Sequence, residues 1–471
     1  MTLFPEALAG RRPGTLPAGD SDATAVPARV LPAILLVALV LRLAFVLYLD
    51  PERIYFSDTI DYHDAAQSLL RGEGFGAGYQ RPPLYPLYLA GILAVFPGNL
   101  VAVRVADVLL GCLTVLLVYR LGREIWGREV GLIAAAIAAV HPYLVTLGGL
   151  LYPESLFAAL LAGSVWILLR GSSPLAAAAA GLLAGAGALA KASGLALLPA
   201  AVLWLLVFGV GSRGARLRSA AAFVAGALLL VAPWTMRNAA SFGEVSATDA
   251  RTELHLPYRI GDRFVSKDEA SVIYHARGQG LPRSRDALAD IRAAPGAYAA
   301  FVGRQLVQFW SPWPERLATA DPAARQRAAG RDARMVVENH PVRKLDRYGR
   351  LLGIALLPYY ALALAGVVTA GRGRLRKASL PLLLVLGFAV GYALFFAKLR
   401  YRLPIEPFVC LFAGAGLHAL VTRAPGRNRT RAGGVSPRLT EGERASVEGE
   451  RVAGEGEREA GERERGRALF A

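Results

Sequence analysis

Apolar stretches, each close to the length of a bilayer, recur along the whole of this 471-residue chain. A helix rises about 1.5 Å per residue, so roughly 20 apolar residues cross the hydrocarbon core with every backbone hydrogen bond satisfied inside one segment. Such segments lie at about 30–48, 100–122, 130–149, 155–169, 175–190, 195–210, 220–234, 351–369, 380–397 and 405–421. They predict an all-α polytopic membrane protein with about ten transmembrane helices. Composition agrees: 54% of the residues are apolar, and the 19% that are charged concentrate between the apolar blocks and in the tail. The run 84–96 is shorter and bounded by Pro83 and Pro97, so it reads as a re-entrant or interfacial piece. Counting it as a span would invert everything after it.

Lysine and arginine in the short connections decide that choice, because cytoplasmic loops carry their excess. Arg120, Arg123 and Arg128 follow the second span, Arg170 the fourth, Arg213, Arg216 and Arg218 the sixth, and Arg372, Arg374, Arg376 and Lys377 the eighth. The connection 141–154 has no lysine or arginine, and the one holding Lys191 is very short. Both termini are therefore expected in the cytoplasm and the first loop, 50–99, outside. Residues 1–29 lack an apolar core of their own, so the first span, in a cell (plasma) membrane, is expected to act as an uncleaved anchor.

The formal charge of +17 does not point to nucleic acid. The basic residues sit beside span ends and in the tail, where orientation and anionic lipid account for them, and no groove-reading motif is present. Cys112 and Cys410 fall inside apolar spans and read as small packing residues. The chain divides into a cytoplasmic segment 1–29, a membrane module 30–236, a long outer loop 237–350, further spans in 351–421, and a tail 422–471. Rich in Gly, Glu and Arg, the tail is expected to be disordered. In the outer loop, Tyr298, Phe301, Val302, Gln305, Leu306, Phe309 and Trp310 follow a spacing of three and four. That pattern suits either a helix lying along the bilayer surface or one packed on its neighbours.

The chemistry concentrates in the first outer loop, where Asp58, Asp61, Asp64, Glu73 and Arg81 lie between two spans. Ionisable groups beside a membrane are functional candidates by default. Asp58 precedes Tyr62 by four residues in a helical pattern ending near Gly72, so the two share a face if Asp58 is on that helix. It either caps the helix or serves as an active-site carboxylate; the nearby Arg81 and other acids favour the second. Asp61 and Asp64 read as a solvated helix face. Glu154, after Tyr152 and Pro153, is either a first-turn partner of the helix dipole or a second active-site acid. Arg81 before a proline pair, Lys191, Arg237, Arg400 and Arg402 are all expected on the outer side. Converging guanidinium and ammonium groups suit a phosphate ester, although each taken singly could instead snorkel to headgroups. Arg42, Arg104 and Asp107 lie deeper, the last two spaced to pair across a helical turn, and read as structural.

These residues occur in an order that resembles a known family. Asp58 followed by Tyr62, the run LLRGEGF, Arg81-Pro82-Pro83-Leu84-Tyr85-Pro86, Tyr152-Pro153-Glu154, Pro233-Trp234 with Arg237-Asn238, and Tyr401-Arg402-Leu403-Pro404 look like the GT-C membrane glycosyltransferases. The likeness is closest to the branch of protein O-mannosyltransferases, lipid A aminoarabinose transferases and Rgt-type lipopolysaccharide sugar transferases, and it covers about 31–421. It implies a GT-C-like helical bundle with outer-face interfacial helices. The activity implied is sugar transfer, with inversion, from a polyprenyl-phosphate donor to a lipid, glycan or protein acceptor on the outer face. By the same resemblance Asp58 would be the catalytic base, Glu154 the second acid, and Arg81, Lys191 and Arg237 contacts to the donor phosphate. Thr59 stands where some relatives have a second acid directly after the first, which leaves open whether a divalent cation such as Mg²⁺ or Mn²⁺ takes part.

The residues alone fit such a reaction: a carboxylate takes a proton from an alcohol while cations stabilise charge on a departing phosphate. No GxxxxGK phosphate loop is present, as suits a donor that is not a nucleotide. A transporter would be expected to hold its charges near the bilayer midplane, and an inactive lipid-binding subunit would share this sequence pattern.

Overall fold

A computed structural model describes residues 27–49, 53–54, 57–76, 78–171, 173–243, 246, 248, 256–277, 279, 287–312 and 349–423. The expected tail lies outside these residues from 424 onward, as do 1–26 and 313–348 of the segment expected as an outer loop. Met1–Ala419 is one compact unit and Leu420–Ala471 another, of which only the end of a helix is described.

The described elements are helical except for one hairpin. Helices α1 (Val30–Tyr48), α2 (Ser57–Leu70), α3 (Leu84–Val95), α4 (Leu100–Trp126), α5 (Arg128–Val140), α6 (Pro142–Leu147), α7 (Glu154–Arg170) and α8 (Pro174–Ala190) come first. A 3₁₀ turn (Ala192–Ala196), α9 (Leu197–Phe208) and α10 (Arg213–Phe242) follow. The segment 237–350 holds strands β1 (Tyr258–Ile260) and β2 (Arg263–Val265), paired antiparallel with Tyr258 opposite Val265. It also holds α11 (Lys267–Ala276), α12 (Ala287–Ala293) and α13 (Pro295–Phe309). The chain closes with α14 (Gly349–Thr369), α15 (Gly371–Phe395), the short α16 (Leu399–Arg402), a 3₁₀ turn (Leu403–Ile405) and α17 (Glu406–Arg423).

By length and composition, 6 helices among the described residues are able to cross a membrane, against the ten expected. They fall on α1, α4, α10, α14, α15 and the stretch Leu399–Thr422. The remaining expected spans are shorter or broken. The stretch expected as one span at 130–149 is two helices, because Pro142 cannot donate to the ladder and holds His141 extended at φ −61°, ψ 118°. The break leaves α5's last carbonyls unpaired inside apolar surroundings, and Arg42 answers them. Its guanidinium, 1% exposed, donates to Ala139 at 3.1 Å and Ala138 at 3.3 Å. The segment expected to end at 234 instead runs on through Pro233 to Phe242.

Small residues let the helices close. A methyl group at Gly181 of α8 would strike the Phe223 carbonyl of α10, and one at Gly226 the Ala178 carbonyl, so the two backbones are in direct contact. Side chains from α4, α5, α7, α8, α9, α15 and α17 fill the main core, among them Trp204, Phe157, Phe388 and Phe408. Helix α13 packs on its neighbours: Phe301, Gln305 and Phe309 are buried, Gln305 Oε1 accepts from the Ala397 amide at 2.7 Å, and the Tyr298 hydroxyl donates to the Leu394 carbonyl at 2.9 Å.

The basic connections gather at one end of the bundle. Lys377 Nζ lies 2.5 Å from Glu124 Oε1, Trp204 Nε1 donates to the Arg376 carbonyl at 2.8 Å, and Arg216 Nη1 to the Val207 carbonyl at 3.1 Å. Arg120 and Arg170 share the Trp166 ring. The candidate site residues meet elsewhere, around the start of α7 and the end of α8.

Candidate active site

Helix α2 begins at Ser57, and its first turn presents Asp58, while Tyr62 one turn on is 5% exposed. Gly72, with φ 77°, follows the end of the helix, and the chain returns through Pro82 and Pro83, which stiffen the backbone behind Arg81. Arg81 Nη2 then reaches Asp58 Oδ1 at 2.8 Å and Asp61 Oδ2 at 2.6 Å, its guanidinium 5.3 Å from the Tyr62 ring centroid. Asp61, expected to be a solvated face, is thus part of the array.

Three further elements converge. Glu154 opens α7, Lys191 caps α8, and Arg400 stands on α16. Lys191 Nζ lies 2.7 Å from Glu154 Oε1, and Arg400 Nε lies 2.6 Å from the same oxygen. Arg400 Nη1 also donates to Asp58 Oδ2 at 2.7 Å, and its guanidinium sits 3.7 Å from the centroid of Tyr152. Asp58, Asp61 and Glu154 thus interleave with Arg81, Lys191 and Arg400, three carboxylates with three cations.

Burial sorts their roles. The Asp58 side chain is 31% exposed and lines a cavity of about 650 Å³, whereas Glu154 is 0% exposed. Burial pushes the Asp58 carboxyl up, but the guanidiniums of Arg400 and Arg81 outweigh it and hold the group below the usual carboxylate range. Burial also pushes the Tyr62 phenol up to about 12, so it stays protonated at neutral pH. The Lys191 ammonium is lowered by burial, partly offset by Glu154.

The cavity has a charged end and an apolar wall. Arg81, Lys191 and Arg400 line it with Asp58; Gly387, Phe388 and Phe395 of α15 continue it along roughly 13 Å of helix. Lys267 at the start of α11 and Lys398 also line it, and neither was singled out from the sequence. Only the sequence Lys398-Leu-Arg400 hinted at the second. The parallel pair Tyr392 and Tyr401, 4.6 Å between centroids, adds an aromatic wall.

Two expected phosphate ligands are engaged elsewhere. Arg237 sits within α10 and donates to the Tyr79 carbonyl at 2.7 Å and the Gly76 carbonyl at 3.2 Å, so it holds the first loop in place. Arg402, 0% exposed, is bonded to Glu406 at 2.6 Å, to the Phe309 carbonyl at 2.6 Å and to the Tyr360 hydroxyl at 2.6 Å. Deeper still, Arg104 donates to the Gly149 and Arg53 carbonyls, while Asp107 accepts from Tyr85 and Tyr88.

Among the described residues no three His, Cys, Asp or Glu side chains converge to hold a metal ion. Both Asp58 oxygens are engaged by guanidinium and Glu154 Oε1 by Lys191 and Arg400, while the buried Glu154 Oε2 has no hydrogen-bond partner.

Residues 80–236 match the family described as dolichyl-phosphate-mannose-protein mannosyltransferase. The chain is similar to the oligosaccharyltransferase of Archaeoglobus fulgidus in its apo form, with a TM-score of 0.52, 13% identity, and coverage of 89% of this chain and 54% of that one. It is similar to ArnT from Cupriavidus metallidurans in the apo state, with a TM-score of 0.53, 14% identity, and coverage of 85% and 61%. For ArnT bound to undecaprenyl phosphate, the TM-score is 0.52 at 15% identity, covering 86% and 62%. The chain therefore spans between half and two thirds of the length of these structures. No curated protein matches the sequence. The chain is thus a multi-pass membrane protein with the fold of the GT-C enzymes, bearing across 80–236 the sequence pattern of the dolichyl-phosphate-mannose-protein mannosyltransferase family.

Proposed function

We propose that this protein transfers a sugar, with inversion, from a polyprenyl-phosphate donor to a hydroxyl of a lipid, glycan or protein acceptor at the outer face of the cell membrane. The observation that carries the reading is the cavity itself, where one carboxylate, Asp58, meets clustered cations at the head of an apolar wall. A lipid tail suits the wall along α15, and a phosphate suits Arg81, Lys191 and Arg400, with Lys267 and Lys398 adding positive charge. The solved ArnT complex with undecaprenyl phosphate supports a carrier of that class. A transporter is less well supported, because the charged array sits at helix ends.

The acceptor hydroxyl attacks the anomeric carbon from the face opposite the phosphate. The new C–O bond forms as the bond to the phosphate oxygen breaks, and the electron pair leaves with the phosphate. Asp58 takes the hydroxyl proton. Bound by two guanidiniums it is a poor base, but an arriving phosphate competes for Arg81 and Arg400 and so raises the proton affinity of Asp58 when the donor is in place. Those cations then stabilise the charge that develops on the leaving phosphate. Glu154, buried with Oε1 shared by Lys191 and Arg400, anchors the cations rather than meeting substrate.

The test is mass spectrometry of envelope glycans and glycolipids from cells with and without the gene. One species should lose a single sugar on deletion and regain it from the parent gene but not from Asp58→Asn. An unchanged glycan and glycolipid profile sinks the reading.

A further inference from the structure

Leu151 has φ 53°, the positive value of a left-handed backbone, and among the described residues it is the one non-glycine position that does. A branched side chain there crowds its own carbonyl, so the conformation persists only where the surroundings impose it. Three contacts do so. Arg104, fully buried in α4, donates to the Gly149 carbonyl two residues earlier. Gly149 is pressed so closely that a Cβ would lie 2.8 Å from Phe45. The hydroxyl of Thr59 donates to the Leu151 carbonyl at 3.2 Å, across 92 positions of sequence.

A helical threonine commonly turns its hydroxyl onto its own helix. Here Thr59, 1% exposed in the first turn of α2, reaches across to another segment. It directly follows Asp58. Leu151 directly precedes Tyr152, whose ring lies under Arg400, and stands three residues before Glu154. The single bond therefore joins the element carrying Asp58 to the one carrying Glu154, and Arg400 spans both carboxylates.

We propose that Thr59 is a positioning residue: by holding Leu151 left-handed it sets the start of α7, and with it the Glu154 anchor of Lys191 and Arg400, relative to Asp58. This rests on reading Asp58 and Glu154 as parts of one transfer site. Without the hydroxyl, Leu151 relaxes toward negative φ, the chain enters Pro153 in another direction, and the two cations lose their fixed spacing. Thr59→Val keeps the shape and burial and removes only the donor; Thr59→Ser keeps the donor.

The experiment compares parent, Thr59→Val and Thr59→Ser in nanodiscs by hydrogen exchange over 148–157 and by titration with undecaprenyl phosphate. Thr59→Val should exchange roughly five- to tenfold faster there and bind undecaprenyl phosphate several-fold more weakly, as loss of about one hydrogen bond implies. Thr59→Ser should restore both. Unchanged exchange in Thr59→Val, or a Thr59→Ser protein that behaves like it, overturns the proposal. Faster exchange with parent-like binding also overturns it, since the bond would then serve the fold alone. A parent protein that binds no undecaprenyl phosphate sinks the donor reading instead, and the exchange comparison still decides the Thr59 bond by itself.

Discussion

Arg400 donates to Asp58 at 2.7 Å across 342 positions of sequence, so the first turn of α2 and the short α16 between α15 and α17 build one charged centre. On the proposed mechanism, the bond keeps the Asp58 carboxylate weakly basic until a donor phosphate competes for the guanidinium. Asp58→Asn keeps the shape and loses the proton acceptor. It should bind undecaprenyl phosphate within a few-fold of the parent and lower sugar transfer by roughly 10²–10⁴-fold. Transfer close to the parent rate by a well-inserted variant would overturn the assignment of the base.

Among the described residues, Arg400 is also the cation bonded to both Asp58 and Glu154. Arg400→Ala should weaken undecaprenyl phosphate binding and lower melting, because Glu154 is 0% exposed and keeps only Lys191 at Oε1. Removing one member of a buried ion pair costs on the order of 3–5 kcal/mol, and the solvated side of Arg400 places it toward the lower part of that range. Arg400→Lys retains the charge but not the fork that reaches two acids, so it should recover melting only in part. Full recovery with lysine would show that point charge, not geometry, is what the site requires.

How much of this was legible in the sequence depended on what each residue stood beside. Asp58, Arg81, Glu154, Lys191 and Arg400 could be picked out because ionisable groups at the ends of apolar segments are costly and few. Arg402 looked equivalent to Arg400, yet residues two apart on a helix point roughly 200° from each other, so one faces the cavity and the other the core. The segment carrying Arg237 was expected to end at 234 because Pro233 read as its close, whereas a proline is tolerated inside a membrane helix and α10 continues to Phe242. Asp61 looked solvated because nothing in its spacing shows that Arg81 folds back across 20 residues to reach it. The Thr59–Leu151 bond had no local signal at all.

The acid limb of stability follows from Asp58. Its carboxyl is depressed in the folded protein, so the stabilisation it contributes is complete above the ordinary carboxylate value of about 3.9. It is lost as the pH falls from there toward the folded value. The melting difference between parent and Asp58→Asn should therefore be constant from about pH 5 to pH 8 and shrink below about pH 4. A difference that changes across neutral pH would mean that another group titrates with it.

Arg402 tests the opposite kind of role. With Glu406 it forms a buried pair that also ties the Phe309 carbonyl of α13 to the start of α17. Arg402→Ala should destabilise the protein by about 3–5 kcal/mol, seen as a lower melting temperature or poor insertion. The fraction that folds should bind undecaprenyl phosphate about as well as the parent. Normal melting with lost binding would instead return Arg402 to the donor site.

Arg237 separates holding a loop from holding a phosphate. Its two amino groups bind the carbonyls of Tyr79 and Gly76, and its guanidinium lies 4.7 Å from the centroid of Trp234, so the segment leading to Arg81 is fastened to α10. Arg237→Ala should speed proteolysis and hydrogen exchange across 74–80, since backbone carbonyls freed at an exposed loop open readily. Undecaprenyl phosphate binding should fall several-fold, because Arg81 is less well placed, but the dependence of binding on salt should stay that of the parent. A direct phosphate ligand would behave otherwise. Its loss would remove one charge from the encounter and flatten the salt dependence while leaving loop exchange unchanged, and that pair of results would place Arg237 among the donor contacts.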